Sequence, residues 1–152
     1  MMLSLEHFKL LSAKAGSLHR GTGGKPDITF QEVADVLAEV PYAVSLYARY
    51  IYGLQREVHT QLVRQIALSI RTKDDIKVGV VRDTDIRIAE LVLRVAKADY
   101  PLTHGQKAYL FGVAWWRPTH EERFKKAQQT IDNYEFEIRY AINRWNERAE
   151  NI

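Results

Sequence analysis

Five histidines, two close pairs of carboxylates and one glycine-rich segment ending in lysine are the residues of this 152-residue chain whose types could perform chemistry. A metal site on a helix needs its ligands on one face, most simply four residues apart. His7, His19, His59, His104 and His120 lack such partners, so surface or helix-end positions and no bound metal are expected. Asp74-Asp75 and Asp83-Thr-Asp85 carry donors for a hard cation or for acid–base work, but loop solvation and a helix N-cap account for them more simply. In Gly21-Thr-Gly-Gly-Lys25, backbone amides and a lysine could cradle a phosphate. A phosphate loop, however, requires Gly, four residues, then Gly-Lys-Ser/Thr after a strand, and here Pro26 follows Lys25. The absence of cysteine excludes a thiolate nucleophile, a disulfide and a thiolate zinc site. The chain also lacks a Gly-x-Ser-x-Gly elbow, a Rossmann glycine pattern and an ordered Ser/His/Asp set. Binding without catalysis or cofactor is the expected mode of action.

Binding chemistry is better represented. The net charge is only +3, but residues 49 to 73 hold Arg49, Arg56, Arg64, Arg71 and Lys73 against the single acid Glu57, a basic face that could meet phosphates. A second group, Arg117, His120, Arg123, Lys125 and Lys126, opens the last amphipathic segment. Basic groups of this kind are commonly a solvated helix face. Here they also fall where a helix-turn-helix would present the start of its second helix to the major groove.

The elements that must position these side chains are helical. Ser4 with Leu5, Phe8, Leu10 and Leu11 predicts a short first helix ending near Gly16. A Gly-rich linker follows over residues 17–26, ahead of a helical body from 27 to 152. Thr29 and Glu32 form a capping box before Val33, Val36, Leu37 and Val40, and Pro41 stops that helix. Tyr42 to Tyr52 is apolar and aromatic nearly all round, which predicts burial of Tyr42, Tyr47, Tyr50 and Tyr52. Val58, Leu62, Ile66 and Ile70 place a stripe on a helix from about Gln55 to Arg71. Thr72 to Val81 is expected to be a loop or a short strand pair, and Asp83 or Thr84 is expected to cap a helix carrying Ile86, Ala89, Leu93 and Ala96.

Thr103 to Phe111 then makes a short helix, closed by a turn with Gly112, Trp115, Trp116 and Pro118. A Trp pair beside a turn is expected to plug the core. Thr119 and Glu122 read as a second capping box, after which Phe124, Ala127, Ile131, Tyr134, Ile138, Ala141 and Trp145 recur in steps of three and four. That seam would pack on another helix or on a second copy of the chain.

Four segments carry a family resemblance: the capped Glu32-Val-Ala-Asp-Val-Leu, Tyr50-Ile-Tyr-Gly53, Leu62-Val-Arg-Gln-Ile-Ala67 and Leu93-Arg-Val-Ala-Lys-Ala-Asp-Tyr100. In this order the chain resembles the late transcription antitermination (Q-type) proteins of lambdoid phages. Lambda-like members carry a cysteine zinc-binding insertion after the last segment, and this chain instead has Pro101-Leu-Thr-His-Gly105. The likeness resumes at Ala108-Tyr109 and the final helix. It implies a phage or prophage protein that binds duplex DNA at a late promoter and engages host RNA polymerase paused with its sigma factor. It then travels with the enzyme past terminators. In this sequence that role falls to Arg117, His120, Arg123, Lys125 and Lys126, with Arg49, Arg56, Arg64, Arg71 and Lys73 as a secondary face.

The expected fold is therefore all-α: one single-domain bundle of about six to seven helices, with a long C-terminal helix and a helix-turn-helix-like unit. A DNA-binding regulator is the functional expectation, and a non-enzymatic helical adaptor or homo-oligomer is the alternative. No stretch of about 18 apolar residues occurs and Glu6 and His7 interrupt the start, so a cytoplasmic protein of the bacterial host cell without membrane contact is expected.

Overall fold

The computed structural model describes residues 2–12, 28–98 and 100–151. The Gly-rich linker, His19 and the Gly21 to Lys25 segment lie outside them. The protein is all-α, and the described residues contain no strand. Among the described residues seven α-helices follow in chain order: α1 (Phe30–Ala38), α2 (Tyr42–Ile51), α3 (His59–Ser69), α4 (Lys73–Val78), α5 (Asp83–Ala98), α6 (His104–Phe111) and α7 (Pro118–Glu150). Two 3-10 helices, Leu5–Leu11 and Arg56–Val58, accompany them. The chain forms two compact units, one from Met1–His59 with Tyr134–Ile152 and the other from Thr60–Asn133.

In the first unit, Thr29 caps α1 by accepting the Glu32 backbone N–H at 3.3 Å, and Val33, Val36 and Leu37 form its buried face. Pro41 disfavours helix in the residue before it, and it supplies the fixed φ from which α2 starts. Burial is selective among the four tyrosines of that segment: Tyr47 is buried, Tyr50 and Tyr52 are half-buried, and Tyr42 is exposed. The Leu5–Leu11 turn buries Phe8, Leu10 and Leu11 against α1 and α2. Each such side chain contributes roughly 1.5–3 kcal/mol by leaving water. The segment before it is held by polar contacts. Asn146 on α7 accepts the Leu3 N–H at 2.8 Å and donates to the Leu3 carbonyl at 3.0 Å, and both residues are buried. Glu135, one residue past the start of the unit's portion of α7, accepts the hydroxyls of Tyr47 (2.6 Å) and Tyr52.

The structure departs from the sequence expectation in four places, three of them wholly in the second unit. Residues 73–78, expected as loop or strand, form α4. Thr72 caps it by accepting the Asp75 N–H at 3.2 Å, and two acids lie in its positive first turn. Gly79 at φ 70 ends it, with the Val80 N–H returning to the Asp75 carbonyl at 3.0 Å. A left-handed residue with that bond is a standard helix stop, and it outweighs the strand-like Ile-Lys-Val alternation. Asp83 is the first residue of α5 rather than its cap, since the Arg82 carbonyl already accepts the N–H groups of Asp85 and Ile86. Likewise α7 opens at Pro118, so Thr119 lies inside the helix and does not cap it. Proline suits that first position because no N–H is needed there. The helix expected from Gln55 to Arg71 begins as the 3-10 turn Arg56–Val58 and ends at Ser69.

Candidate nucleic-acid interface

The helix-turn-helix-like unit lies wholly in the second unit: α6, a turn from Gly112 and the first half of α7. Gly112, at φ 88, closes α6 in the left-handed conformation and lets the chain reverse. Trp116 then folds into the angle. Its ring meets Phe111 edge-on at 5.6 Å and Phe124 edge-on at 6.2 Å, while its neighbour Trp115 stays 65% exposed. The expected core plug is thus one tryptophan of the two.

A polar knot fixes the same corner. Glu121 accepts Lys107 Nζ at 2.7 Å and Trp116 Nε1 at 3.2 Å on Oε1, and its Oε2 lies 3.1 Å from His104 Nε2. Burial works to raise the Glu121 carboxyl, but the hydrogen bonds from Lys107 and Trp116 outweigh it and hold the group below its ordinary range. Lys107 is itself buried, with its ammonium 4.1 Å from the Phe124 ring centroid. Helix α6 and the start of α7 are therefore joined by a charged, desolvated contact that resists sliding.

This packing divides the five residues at the start of α7 into two sets. His120 lies against Phe111 at 5.0 Å and Trp116 at 5.2 Å, and burial, with Arg117, Arg87 and Arg123 nearby, pushes its pKa down. It is packed into an aromatic cluster that disfavours its charged form. Arg123, named among the expected DNA contacts, instead reaches inward to Asp85 on α5, which has 0% exposure. Only Arg117, Lys125 and Lys126 remain exposed and outside the internal ion pairs.

One member of each acidic pair, Asp75 and Asp85, proves to be a buried internal counter-ion, while Asp74 and Asp83 are exposed. Arg82 Nε bonds Asp75 at 3.0 and 2.8 Å, and this contact holds the Asp75 carboxyl below its usual range against the effect of burial. At Asp85 burial wins and the carboxyl is pushed up, although Arg123 opposes it. Among the described residues, no three His, Asp or Glu side chains gather as metal ligands.

The secondary basic face is also partly committed. Arg49 and Arg56 belong to the first unit, and Arg64, Arg71 and Lys73 to the second. Arg49 Nε donates to Gln55 at 2.7 Å and Arg71 Nε to the Leu68 carbonyl at 3.1 Å, while Arg56, Arg64 and Lys73 are exposed. Charge is unevenly shared: the second unit has thirteen Lys and Arg against nine Asp and Glu, and the first has nine against ten. The basic surplus accompanies the helix-turn-helix-like unit.

The knot at Glu121 and Lys107 was not singled out by sequence reasoning, and neither was Asn146. A weak signal existed for the last, a polar residue four positions after Ile142 on the apolar side of α7. The seam itself is buried from Phe124 through Ala141, with Trp145 half-buried, so its apolar stripe is occupied within the chain. No family model, curated protein or solved structure matches this chain.

Proposed function

We propose that the protein is a DNA-binding transcription regulator of a phage or prophage, acting by binding rather than catalysis, with the start of α7 against duplex DNA. The carrying observation is that Arg117, Lys125 and Lys126 stay exposed at the opening of the longest helix while the surrounding basic residues Arg82, Lys107 and Arg123 are taken up by internal carboxylates. The basic surplus of the second unit would draw a polyanion to the same surface. The resemblance to late antiterminators extends the proposal to host RNA polymerase and its sigma factor as partners. The zinc module of lambda-like members has no counterpart without cysteine, and in this chain the Glu121–Lys107–Trp116 knot would hold the DNA-facing helix in its place.

The test is duplex binding by fluorescence anisotropy with random and late-promoter fragments at two salt concentrations. Three cations neutralising about three phosphates give a log–log salt slope near −2.7, so a fourfold rise in salt weakens binding about 40-fold. Lys125→Ala with Lys126→Ala should bring the slope to about −0.9 without altering the circular dichroism spectrum. Salt-independent binding, or a double variant that binds like the parent protein, would overturn the proposal.

A further inference from the structure

The solvent face of α7 carries two aromatic rings where charged and amide side chains would suffice. Tyr134, Ile138 and Ala141 form the buried side of its second half. At about 100° per residue, Phe136 and Tyr140 project from the opposite side of the helix. Phe136 is 70% exposed and Tyr140 56%, and their rings stack at 6.3 Å with an interplanar angle of 14°. Arg144 continues the ridge one turn on, its guanidinium 5.8 Å from the Tyr140 centroid. A pre-stacked aromatic ridge with an arginine at its end has the composition of an interface centre, where aromatic residues and Arg are enriched.

We propose that this ridge is the docking face for a second copy of the chain, with the two α7 helices antiparallel about a two-fold axis beside Tyr140. Charge complementarity selects this occupant. Glu137 and Arg144 are seven residues apart, so they share one flank of the ridge, and both are exposed. Antiparallel pairing brings equal flanks of two helices together, whereas parallel pairing sets each flank against the opposite one. The midpoint between positions 137 and 144 falls between Tyr140 and Ala141. An axis there sets the Tyr140 rings of the two copies against each other, leaves each Phe136 about one turn farther out along the partner helix, and brings Glu137 of each level with Arg144 of the other. Two-fold symmetry repeats the ion pair, so each copy supplies both halves of a self-complementary surface.

The expected complex is weak. At their present exposure four rings would remove on the order of 500 Å² from water, which with the flanking side chains lies at the low end of specific interfaces and suits a dissociation constant of roughly tens of micromolar. The inference does not rest on the DNA proposal, since none of these residues belongs to the proposed DNA surface.

Sedimentation velocity of the full chain across about 1–500 µM, a range bracketing that constant, is the test. A reversible monomer–dimer equilibrium is expected, weakened at least tenfold by Phe136→Asp. Arg144→Glu should weaken it too, and Glu137→Arg combined with Arg144→Glu should restore it, because the swap re-forms both pairs with reversed sign. Far-UV circular dichroism checks that these exposed substitutions leave the helices intact. A chain that stays monomeric throughout, a dimer indifferent to Phe136→Asp, or a charge swap that fails to rescue would each overturn the proposal, the first leaving the ridge to a different partner.

Discussion

Arg123→Ala tests whether this arginine serves the fold. Asp85 has 0% exposure, Arg123 binds its Oδ1, and its Oδ2 is buried with no hydrogen-bond partner among the described residues. Alanine would leave a buried carboxylate without its hydrogen-bonding counter-ion, with only the charge of Arg82, already bonded to Asp75, acting on it. Breaking a buried pair from one side costs about 3–5 kcal/mol. Arg123 keeps 24% of its side chain exposed, so the lower end applies, about 3 kcal/mol. For a chain of this length that corresponds to a fall in Tm of about 6–12 °C.

The pH dependence carries the sharper signature. Burial already raises the Asp85 carboxyl above its ordinary value of 3.8 in the folded chain, and losing Arg123 raises it further. A group with a raised folded pKa favours folding fully below its unfolded value, and that contribution is lost as pH rises through the folded one. The deficit of the variant should therefore be largest at neutral pH and shrink as pH falls toward 3.8. Urea unfolding followed by circular dichroism across this window measures it, with exposed Lys126→Ala as a control expected within about 0.5 kcal/mol of the parent protein. An Arg123→Ala variant as stable as that control, or one whose deficit ignores pH, would refute the reasoning.

Two further outcomes are expected in the first unit. Asn146→Leu removes both hydrogen bonds to the buried Leu3 backbone, so it should cost about 2–4 kcal/mol and strip hydrogen-exchange protection from the Leu3 amide. Burial, with Glu137 nearby, pushes the Tyr134 hydroxyl up from 10.0 to about 12 in the folded chain. Its contribution to stability should be intact below pH 10.0 and lost as pH rises through about 12, and Tyr134→Phe should flatten that alkaline decline in an unfolding titration.

Most of the helical scaffold was legible before any coordinates, because the signals that set it act over a few residues. Thr29 accepts an N–H three residues on, Pro41 constrains the residue before it, and Gly112 supplies a left-handed stop. The buried stripe of α7 followed from its three-four spacing alone. The miss at α4 arose where two local signals compete. Thr72 and Gly79 bracket a helix, while Ile76, Lys77 and Val78 alternate like a strand, and one turn of helix is too short for periodicity to decide.

The sequence by itself determined the helical class, the order of its elements, the lack of thiol chemistry and the concentration of cations at the start of α7. Only the tertiary structure decided which of those cations remain available. Asp85 and Arg123 are 38 positions apart, and Leu3 and Asn146 are 143 apart. Trp115 and Trp116 are adjacent and chemically identical, yet one is exposed and the other buried. Capping and periodicity are fixed by backbone geometry within a turn or two, whereas an ion pair depends on where a distant helix carries its partner, and no local pattern encodes that distance.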